Sequence, residues 1–348
     1  MKHEILEIPR ALRLMWAKGR PQYDALVRQV SWSEKPVFIT GSDSSYWAAL
    51  TGAYAFESLL RLPVVVRTPD AFRAYTSSAL AFRSLLVAIS PTGECEKTIE
   101  AARRAKAQGA IVWALTANPA SQLGRLADGI AEIYLHEAPA DGIQSAFCQH
   151  AAMVFLALAA ARALKRPASA LTTQETELEK LPENIEWVEN QFSDAAQALA
   201  SEFRSLPSLL LIGGGLYHPV ALQAAYHLAE LAGVPARGLD LAHFQQVLPT
   251  LLQTNAGVLF LSGSRCALKA EAHQAARDAG EKAGGKLFAI TDGNDHQLSE
   301  RATLSVLLPT LTEPAGALLA LAFLNSVTHH AARNSAASSR RARHVKRP

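Results

Sequence analysis

The chain alternates short apolar runs with longer stretches whose apolar residues recur at helical spacing. Runs of four to six aliphatic residues that do not alternate with polar ones are typical of strands buried on both faces of a sheet. We place such runs near 37–40, 64–67, 85–90, 111–116 and 130–135, and again near 209–212, around 234, and near 257–262, 287–291 and 304–308. Stretches between them, such as 98–108 and 267–283, predict helices. Strand and helix alternation predicts an α/β fold with a doubly wound, five-stranded parallel sheet in each half.

The two halves of the chain resemble each other. Gly41 in the FITG run and Gly213 in the LIGG run lie 172 residues apart, and the serines that end LVAIS and VLFLS, Ser90 and Ser262, have the same spacing. Conserved order of such landmarks indicates a tandem repeat. We therefore predict five segments: an N-terminal helical extension (1–30), a first domain (31–168), a helical connector (169–200), a second domain (201–335) and a basic C-terminal tail (336–348).

Composition and charge exclude several classes of protein. With 348 residues the chain is long enough for two domains. Its three cysteines form no CxxC pair, which excludes a zinc ribbon and favours a reducing, cytoplasmic location. The net charge is +3, and five of the basic residues lie in the tail from Arg340 onward, so the rest of the chain is near neutral and nucleic acid is not expected as a partner. The first residues lack the apolar core of a signal peptide, and the longest apolar run, 151–161, is too short to span a membrane. No group of acidic, histidine or cysteine residues has the spacing of metal ligands. We expect no membrane, metal or cofactor.

Two loops rich in glycine and hydroxyl groups follow predicted strands: GSDSSY at 41–46 and SPTGEC at 90–95. Ligands of doubly wound sheets bind beyond the carboxyl ends of the strands, where helix N-termini favour anions. The two loops therefore predict a phosphate pocket. The alternative, in which the hydroxyls only cap helices, stays open. A nucleotide is not favoured, because the chain has no GxxxxGK[ST] motif and the glycines at 213–215 lack the third glycine of the dinucleotide fingerprint.

The order of a hydroxyl loop, an S-P-T-G-E loop and a duplicated half resembles the sugar isomerase (SIS) domain. Two tandem copies resemble the isomerase half of glucosamine-6-phosphate synthase and its relatives, the sugar-phosphate deaminases and fructosamine-6-phosphate deglycases. The opening HEILEIP is similar to that family's K-E-I-x-E-Q-P, and GIQS at 142–145 to its G-V-A-S. The glutaminase half of the synthase is not expected here.

The resemblance implies a phosphorylated sugar or amino-sugar derivative as ligand and a homodimer as the assembly. It places Ser45, Ser90, Thr92 and Cys95 at phosphate-contact positions. We add Ser44, the neighbour of Ser45, to this set. The resemblance places Ile143 and Ser145 at sugar-contact positions.

The stretch 213–230 resembles the family's catalytic helix without a gap. Glu230 falls on the catalytic glutamate, while Gln223 replaces another glutamate and His227 a lysine. Their spacing puts the three on one helix face, which is also compatible with the polar face of a surface helix. Four neighbours favour partial burial, which would raise the pKa of a carboxylate base: Tyr217, Val220, Leu228 and Leu231.

The family's ring-opening histidine is harder to place in this sequence. Counted without gaps from Glu230, its position is Gln246, whereas a shift of three residues puts His243 there. Both assignments stay open. Arg343 matches the family's C-terminal lysine and would bind an anion; with a pKa above about 12 it is not expected to carry protons.

The leading hypothesis is an enzyme that isomerises, deaminates or deglycates a phosphorylated amino sugar or fructosamine. In it, Glu230 is the base, and His227 and His243 are the candidates for ring opening. The alternative is a sugar-phosphate-binding protein without turnover, which the substitutions at Gln223, His227, Gln246 and Arg343 motivate.

Overall fold

The computed structural model describes residues 1–30, 32, 36–76, 80, 84–136, 142–251, 256–282 and 286–345. Side chains are described for these residues except at 168–170, 247–251, 281–282 and 334–345. Within this part of the chain the fold consists of α-helices, parallel strands and two π-helical turns at Met15–Gly19 and Phe72–Thr76.

The strands are β1 (Val37–Gly41), β2 (Val64–Arg67), β3 (Leu85–Ile89), β4 (Ile111–Thr116), β5 (Gly129–Glu132), β6 (Leu209–Gly213), β7 (Ala236–Asp240), β8 (Gly257–Leu261), β9 (Leu287–Asp292) and β10 (Leu304–Leu308). The helices are α1 (Lys2–Leu6), α2 (Ile8–Leu14), α3 (Arg20–Val27), α4 (Ser44–Leu60), α5 (Pro69–Ala71), α6 (Glu96–Ala107), α7 (Gln122–Leu126), α8 (Ile143–Ala163), α9 (Ala168–Glu179), α10 (Leu181–Gln191), α11 (Ser193–Ser205), α12 (Tyr217–Ala232), α13 (Leu241–Leu251), α14 (Lys269–Lys282), α15 (His296–Ser299) and α16 (Glu313–Val345).

The strands form two five-stranded parallel sheets, ordered β2-β1-β3-β4-β5 and β7-β6-β8-β9-β10. The strands of the two sheets have the same order and all run parallel, which confirms the predicted α/β fold with one doubly wound sheet in each half. The registers agree as well: Val37 pairs with Val64 and Leu85, and Leu209 pairs with Ala236 and Gly257.

The repeat extends to backbone detail at the carboxyl ends of the strands. The amide of Ser90 donates to Leu115 O at 3.0 Å, and that of Ser262 donates to Ile290 O at 3.2 Å. Asp43 and Gly215, the second residues after β1 and β6, both have positive φ, at 51° and 56°. The second residue after the strand therefore has a positive φ in both repeats, which glycine adopts more readily than aspartate.

One predicted strand is misplaced. The short run around 234 predicted a strand there, but β7 begins at Ala236 and ends at Asp240. Its sequence, ARGLD, is half-exposed at the edge of the sheet, so it lacks the apolar run by which a fully buried strand is recognised.

Apolar clusters between sheet and helices form the core of each half. In the first they are built around Phe38, Leu86 and Val112, and in the second around Ile212, Phe260 and Phe244. The latter two rings meet edge to face, with centroids 5.5 Å apart. Such edge-to-face pairs add to the stability that burial alone gives.

Helix α8 is long and apolar enough to cross a membrane by length and composition, but its apolar 18-residue window is completely buried inside the protein. It packs against α4, and Gly52 lies at their contact. A Cβ at Gly52 would stand 2.2 Å from Met153 Cε, so the glycine permits the close approach of the two helices. Helix α8 is therefore a core helix of the first half.

The chain divides into two compact units, Leu6–Pro182 and a second made of Met1–Ile5 with Glu183–Pro348. We call them the first and second unit. Each contains one of the sheets. The segment boundaries expected from the sequence remain predictions.

Candidate functional site

The loop after β1 brings helix α4 close to the strand. A Cβ at Gly41 would stand 2.7 Å from Ser45 Cβ, so the glycine allows α4 to start immediately beside β1. Ser45 is buried, and its hydroxyl donates to Gln149 Oε1 at 2.7 Å. Ser44, the first residue of α4, is half-buried. The hydroxyls of this loop thus lie at a helix N-terminus, as the sequence predicts.

The loop after β3 folds around Ser90 and Gly93. The buried Ser90 hydroxyl accepts the amide of Gly93 at 3.1 Å, and Thr92 Oγ1 accepts the amide of Glu94 at 3.2 Å. Gly93 has a φ of 69°, and a Cβ there would stand 1.8 Å from Ser121 Oγ. No larger residue fits without moving the turn, so the shape of this loop depends on Gly93.

Helix α6 follows, with Cys95 as its N-cap. The half-buried sulfur lies 3.8 Å from Ser42 Oγ, which joins this loop to the loop after β1. Burial acts to raise the pKa of Cys95, but hydrogen bonds from Thr98, Ser42 and the Lys97 backbone outweigh it and hold the pKa below its ordinary value. The site therefore stabilises negative charge at the position where the sequence predicts a phosphate.

The first turn of α8 contains the two residues that the sequence predicts to contact the sugar. Ile143 and Ser145 are both buried there. One turn further on, Gln149 connects α8 to the loop after β1: it accepts from Ser45, and its Nε2 donates to Ser145 O at 3.3 Å. The first unit thus collects the predicted phosphate and sugar residues at the helix N-termini that follow β1, β3 and β5.

In the second unit, Gln223 and His227 are buried on α12 and hydrogen-bonded to each other, with Nε2 to Nε2 at 2.8 Å. His227 Nδ1 lies 3.0 Å from Oδ1 of Asn325, a residue of α16. Desolvation lowers the pKa of His227, against the opposing effects of the Asn325 hydrogen bond and the charge of Glu4. His227 is thus held as a neutral ring, donating from Nδ1 to Asn325 and accepting at Nε2 from Gln223.

The expected partial burial of Glu230 is wrong. Glu230 is exposed, and so is Leu231, whose exposed fraction is 43%. Tyr217, Val220 and Leu228 are buried as expected. Glu230 has the same helix face as Gln223, but it lies in the last turn of α12, two residues before the helix ends, and helical spacing does not reveal where a helix leaves the core. Its catalytic role stays a prediction.

His243 and Gln246 lie on α13, and both are exposed. The amide of His243 donates to Asp240 Oδ1 at 2.6 Å, a capping contact at the start of the helix. Phe244 between them is completely buried. Arg343 lies in α16, but its side chain is outside the described residues.

Sequence reasoning missed four residues of these sites: Ser42, Gln149, Ser121 and Asn325. Ser42 lay within the quoted loop, and its contact with Cys95 follows from the adjacency of β1 and β3. Gln149 and Asn325 gave no signal, because they lie inside long apolar helices and meet their partners only through helix packing.

Sequence comparison with known proteins relates the chain to sugar-phosphate enzymes. Residues 32–162 match the SIS domain family. The chain is 35% identical over 233 residues to a glutamine–fructose-6-phosphate aminotransferase (isomerizing) of Mycolicibacterium smegmatis, which covers 66% of this chain and 36% of that enzyme. With the Pyrococcus horikoshii enzyme of the same name it is 26% identical over 332 residues, 95% of this chain and 54% of that enzyme. The chain thus spans between a third and about half of these relatives.

A solved structure extends the likeness of fold to both units. The C-terminal domain of the glucosamine-fructose-6-phosphate aminotransferase from Francisella tularensis has a TM-score of 0.83 to this chain at 20% identity. The match covers 94% of each chain.

Proposed function

We propose that this chain, a SIS-domain protein homologous to the isomerase domain of the glutamine–fructose-6-phosphate aminotransferases, binds a phosphorylated amino sugar or fructosamine and isomerises, deaminates or deglycates it. The phosphate would bind to the first unit, between the loops after β1 and β3. The names of the relatives support a hexose phosphate as the substrate class.

One observation carries the phosphate assignment: the Ser42 hydroxyl lies 3.8 Å from the Cys95 sulfur, at the N-terminus of α6, and the site lowers the pKa of that thiol. Donors that stabilise a thiolate also stabilise a phosphate, because both carry negative charge at a helix N-terminus. Thr92 lies at the exposed side of the same loop, where its hydroxyl can reach a ligand. In this proposal Ser44, Ser45 and Ser90 complete the phosphate contacts.

The reaction needs a base next to the carbonyl carbon and a group that opens the sugar ring. We assign the base to Glu230, whose exposed carboxylate is accessible to a ligand. His243 is exposed and suited to exchange protons, whereas His227 is buried and held neutral between Gln223 and Asn325. We therefore assign ring opening to His243 and a positioning role to His227.

The experiment is a turnover assay with glucosamine-6-phosphate, fructose-6-phosphate and fructosamine-6-phosphates, comparing wild type with Glu230→Gln. The proposal predicts turnover of one substrate and its loss in Glu230→Gln while the substrate still binds. Glu271→Gln, which neutralises an exposed carboxylate on α14, is the matched control and should keep wild-type turnover. Full turnover in Glu230→Gln would contradict the assigned base.

A second function, binding of a sugar phosphate without turnover, is favoured by one observation. The positions at which the resembling family has a second glutamate and a lysine hold Gln223 and His227, and these are hydrogen-bonded to each other inside the core. Binding without turnover of any of the substrates, in wild type and in Glu230→Gln alike, would support this function. The proposal also includes a cytoplasmic location. It includes a homodimer as well, whose mass sedimentation would measure.

A further inference from the structure

Two carboxylates bind the loop amides of the second repeat. Leu216 N donates to Glu313 Oε1 at 3.0 Å, and Ala267 N donates to Glu313 Oε2 at 3.1 Å. Ser264 N donates to Asp292 Oδ2 at 2.6 Å. These amides belong to the loops after β6 and β8, the counterparts of the loops that we assign to phosphate in the first repeat.

The position of Glu313 is one that favours an anion. Leu216 is the N-cap of α12, Ala267 lies two residues before α14, and Glu313 is itself the first residue of α16. The carboxylate thus lies at the N-terminal ends of three helices, where the backbone dipoles favour negative charge. A Cβ at Gly215 would stand 2.3 Å from Glu313 Oε1, so the glycine permits this close approach.

Among the residues that the structure describes, neither carboxylate has a counterpart at the matched position of the first repeat. Helix α8, which follows the last strand as α16 does, begins with Ile143 in place of Glu313. Thr116 and Thr291 end the matched ALT and AIT runs, and the next residues are Ala117 and Asp292. The side chains of isoleucine and alanine cannot accept hydrogen bonds from the loop amides.

The second repeat is also filled by a larger side chain. Tyr217 stands where the first repeat has Ser45, 172 residues earlier. Its hydroxyl would be 2.7 Å from a Cβ at Gly263 or at Gly316, so the phenol fills the space between the β8 loop and α16. The cavity that remains beside Tyr217, Ser262 and Asp292 has a volume of ≈ 10 Å³, room for about one water molecule.

A buried serine marks the same position. Ser262 corresponds to Ser90 of the first repeat and has an exposed fraction of 2%. Its hydroxyl lines the small cavity and has no oxygen or nitrogen partner among the described residues. Burial, together with the charges of Cys266, Glu313, Asp292 and Asp295, raises the pKa of Tyr217. The carboxylates of Glu313, Asp292 and Asp295 therefore lie close enough to act on the ring, which disfavours a phosphate there.

We infer that the second repeat contains a closed anion seat, in which the Glu313 carboxylate occupies the place that the ligand's anionic group takes in the first repeat. The chain then binds the phosphate group of one sugar phosphate, at the loops of the first repeat. The seat itself is specific for a carboxylate: cutting Glu313 back to alanine removes one CH₂–COO⁻ group, and acetate has the same size and charge. The comparison with the first repeat rests on the proposed function; the seat does not.

The test measures the melting temperature of Glu313→Ala with acetate replacing chloride at constant ionic strength. Glu313 is half-buried, so a small anion from solvent can reach the two amides. We expect the variant to melt below wild type and acetate to raise it by about 2–4 °C more than it raises wild type. Acetamide, a neutral molecule of the same shape, should have no such effect. Glu271→Ala, at an exposed position of the same unit, is the matched control.

A second variant keeps the inference testable if Glu313→Ala does not fold. Glu313→Gln keeps the volume but turns an NH₂ group toward an N–H donor, so it should lose stability without responding to acetate. Equal responses of Glu313→Ala and wild type to acetate would overturn the seat, as would two sugar phosphates per wild-type chain in a calorimetric titration. If acetate restores the variant while wild type binds no sugar phosphate, the seat stands and the proposed function fails.

Discussion

Ser42 Oγ and Cys95 Sγ lie 3.8 Å apart, and this contact joins the loop that follows β1 to the loop that follows β3. The two strands are neighbours in the first sheet, so their loops meet at its carboxyl end. Cys95 is also the N-cap of α6, and the donors around it hold its pKa below the ordinary value although burial acts in the opposite direction. The pair is thus a probe, within the protein, of the charge that the site favours.

Cys95 should be the thiol that reacts first with iodoacetamide. Burial raises the pKa of Cys266 to about 12 and that of Cys148 still further, so these two are thiols near neutral pH. The Cys95 thiolate fraction, and with it the labelling rate, should rise as the pH approaches its lowered pKa from below. Peptide mass spectrometry of a labelling time course measures all three cysteines in one sample.

A bound sugar phosphate should slow the labelling of Cys95, because its phosphate would compete for the same donors and cover the sulfur. The unphosphorylated sugar at equal concentration is the control and should leave the rate unchanged. Labelling of Cys148 or Cys266 as fast as Cys95 would refute the electrostatic account of this loop.

Replacing Gly93 by alanine should damage both the fold and the site. A left-handed alanine costs about 1–2 kcal/mol, and a Cβ placed 1.8 Å from Ser121 Oγ forces the loop to shift, at a further cost of about 1–3 kcal/mol. Gly233→Ala is the matched control, since it has a φ of 65° and no atom within 4 Å of the added Cβ. Thermal unfolding should show a clear loss for Gly93→Ala and a small one for Gly233→Ala. Equal losses would mean that the contact with Ser121 does not constrain the loop.

His227 should make stability depend on pH. Its pKa in the folded protein lies below the ordinary value of 6.5, because burial disfavours the charged ring. The unfolded chain therefore binds the proton first as the pH falls through 6.5, and stability decreases between that pH and the lower pKa of the folded state. Melting temperatures across this range should fall for wild type and fall less for His227→Gln.

The comparison of variants is needed because burial also lowers the pKa of His218, His329 and His330. These histidines contribute the same way in both proteins, and the difference isolates His227. An unchanged slope in His227→Gln would show that the ring is not held neutral in the core.

The fold was predictable because its signals are local and occur twice. Both β1 and β6 begin 172 residues apart and end in a glycine that a helix approaches closely, so one repeat supports the reading of the other. Strand β7 was misplaced because its ARGLD sequence is half-exposed. The two hydroxyl-rich loops could be located for the same reason as the strands that they follow, while their binding of a phosphate remains a prediction.

The remaining parts of the sites depend on packing between distant helices. The exposure of Glu230 is decided by where α12 leaves the core, which spacing alone does not show. The bonds of Glu313 with Leu216 and Ala267 join residues 97 and 46 positions apart. A signal for them did exist: at the matched helix starts, the first repeat has Ile143 where the second has Glu313.

The most direct test of the account is a thermal shift measurement with glucosamine-6-phosphate beside unphosphorylated glucosamine. A ligand that binds only the folded state raises the melting temperature, so the phosphorylated sugar alone should do so. Thr92→Ala should weaken binding about 10- to 100-fold, the cost of one hydrogen bond to a charged group, whereas Ser264→Ala, the matching change in the second repeat, should not. Equal shifts with both sugars, or an equal loss in both variants, would contradict a phosphate site in the first unit.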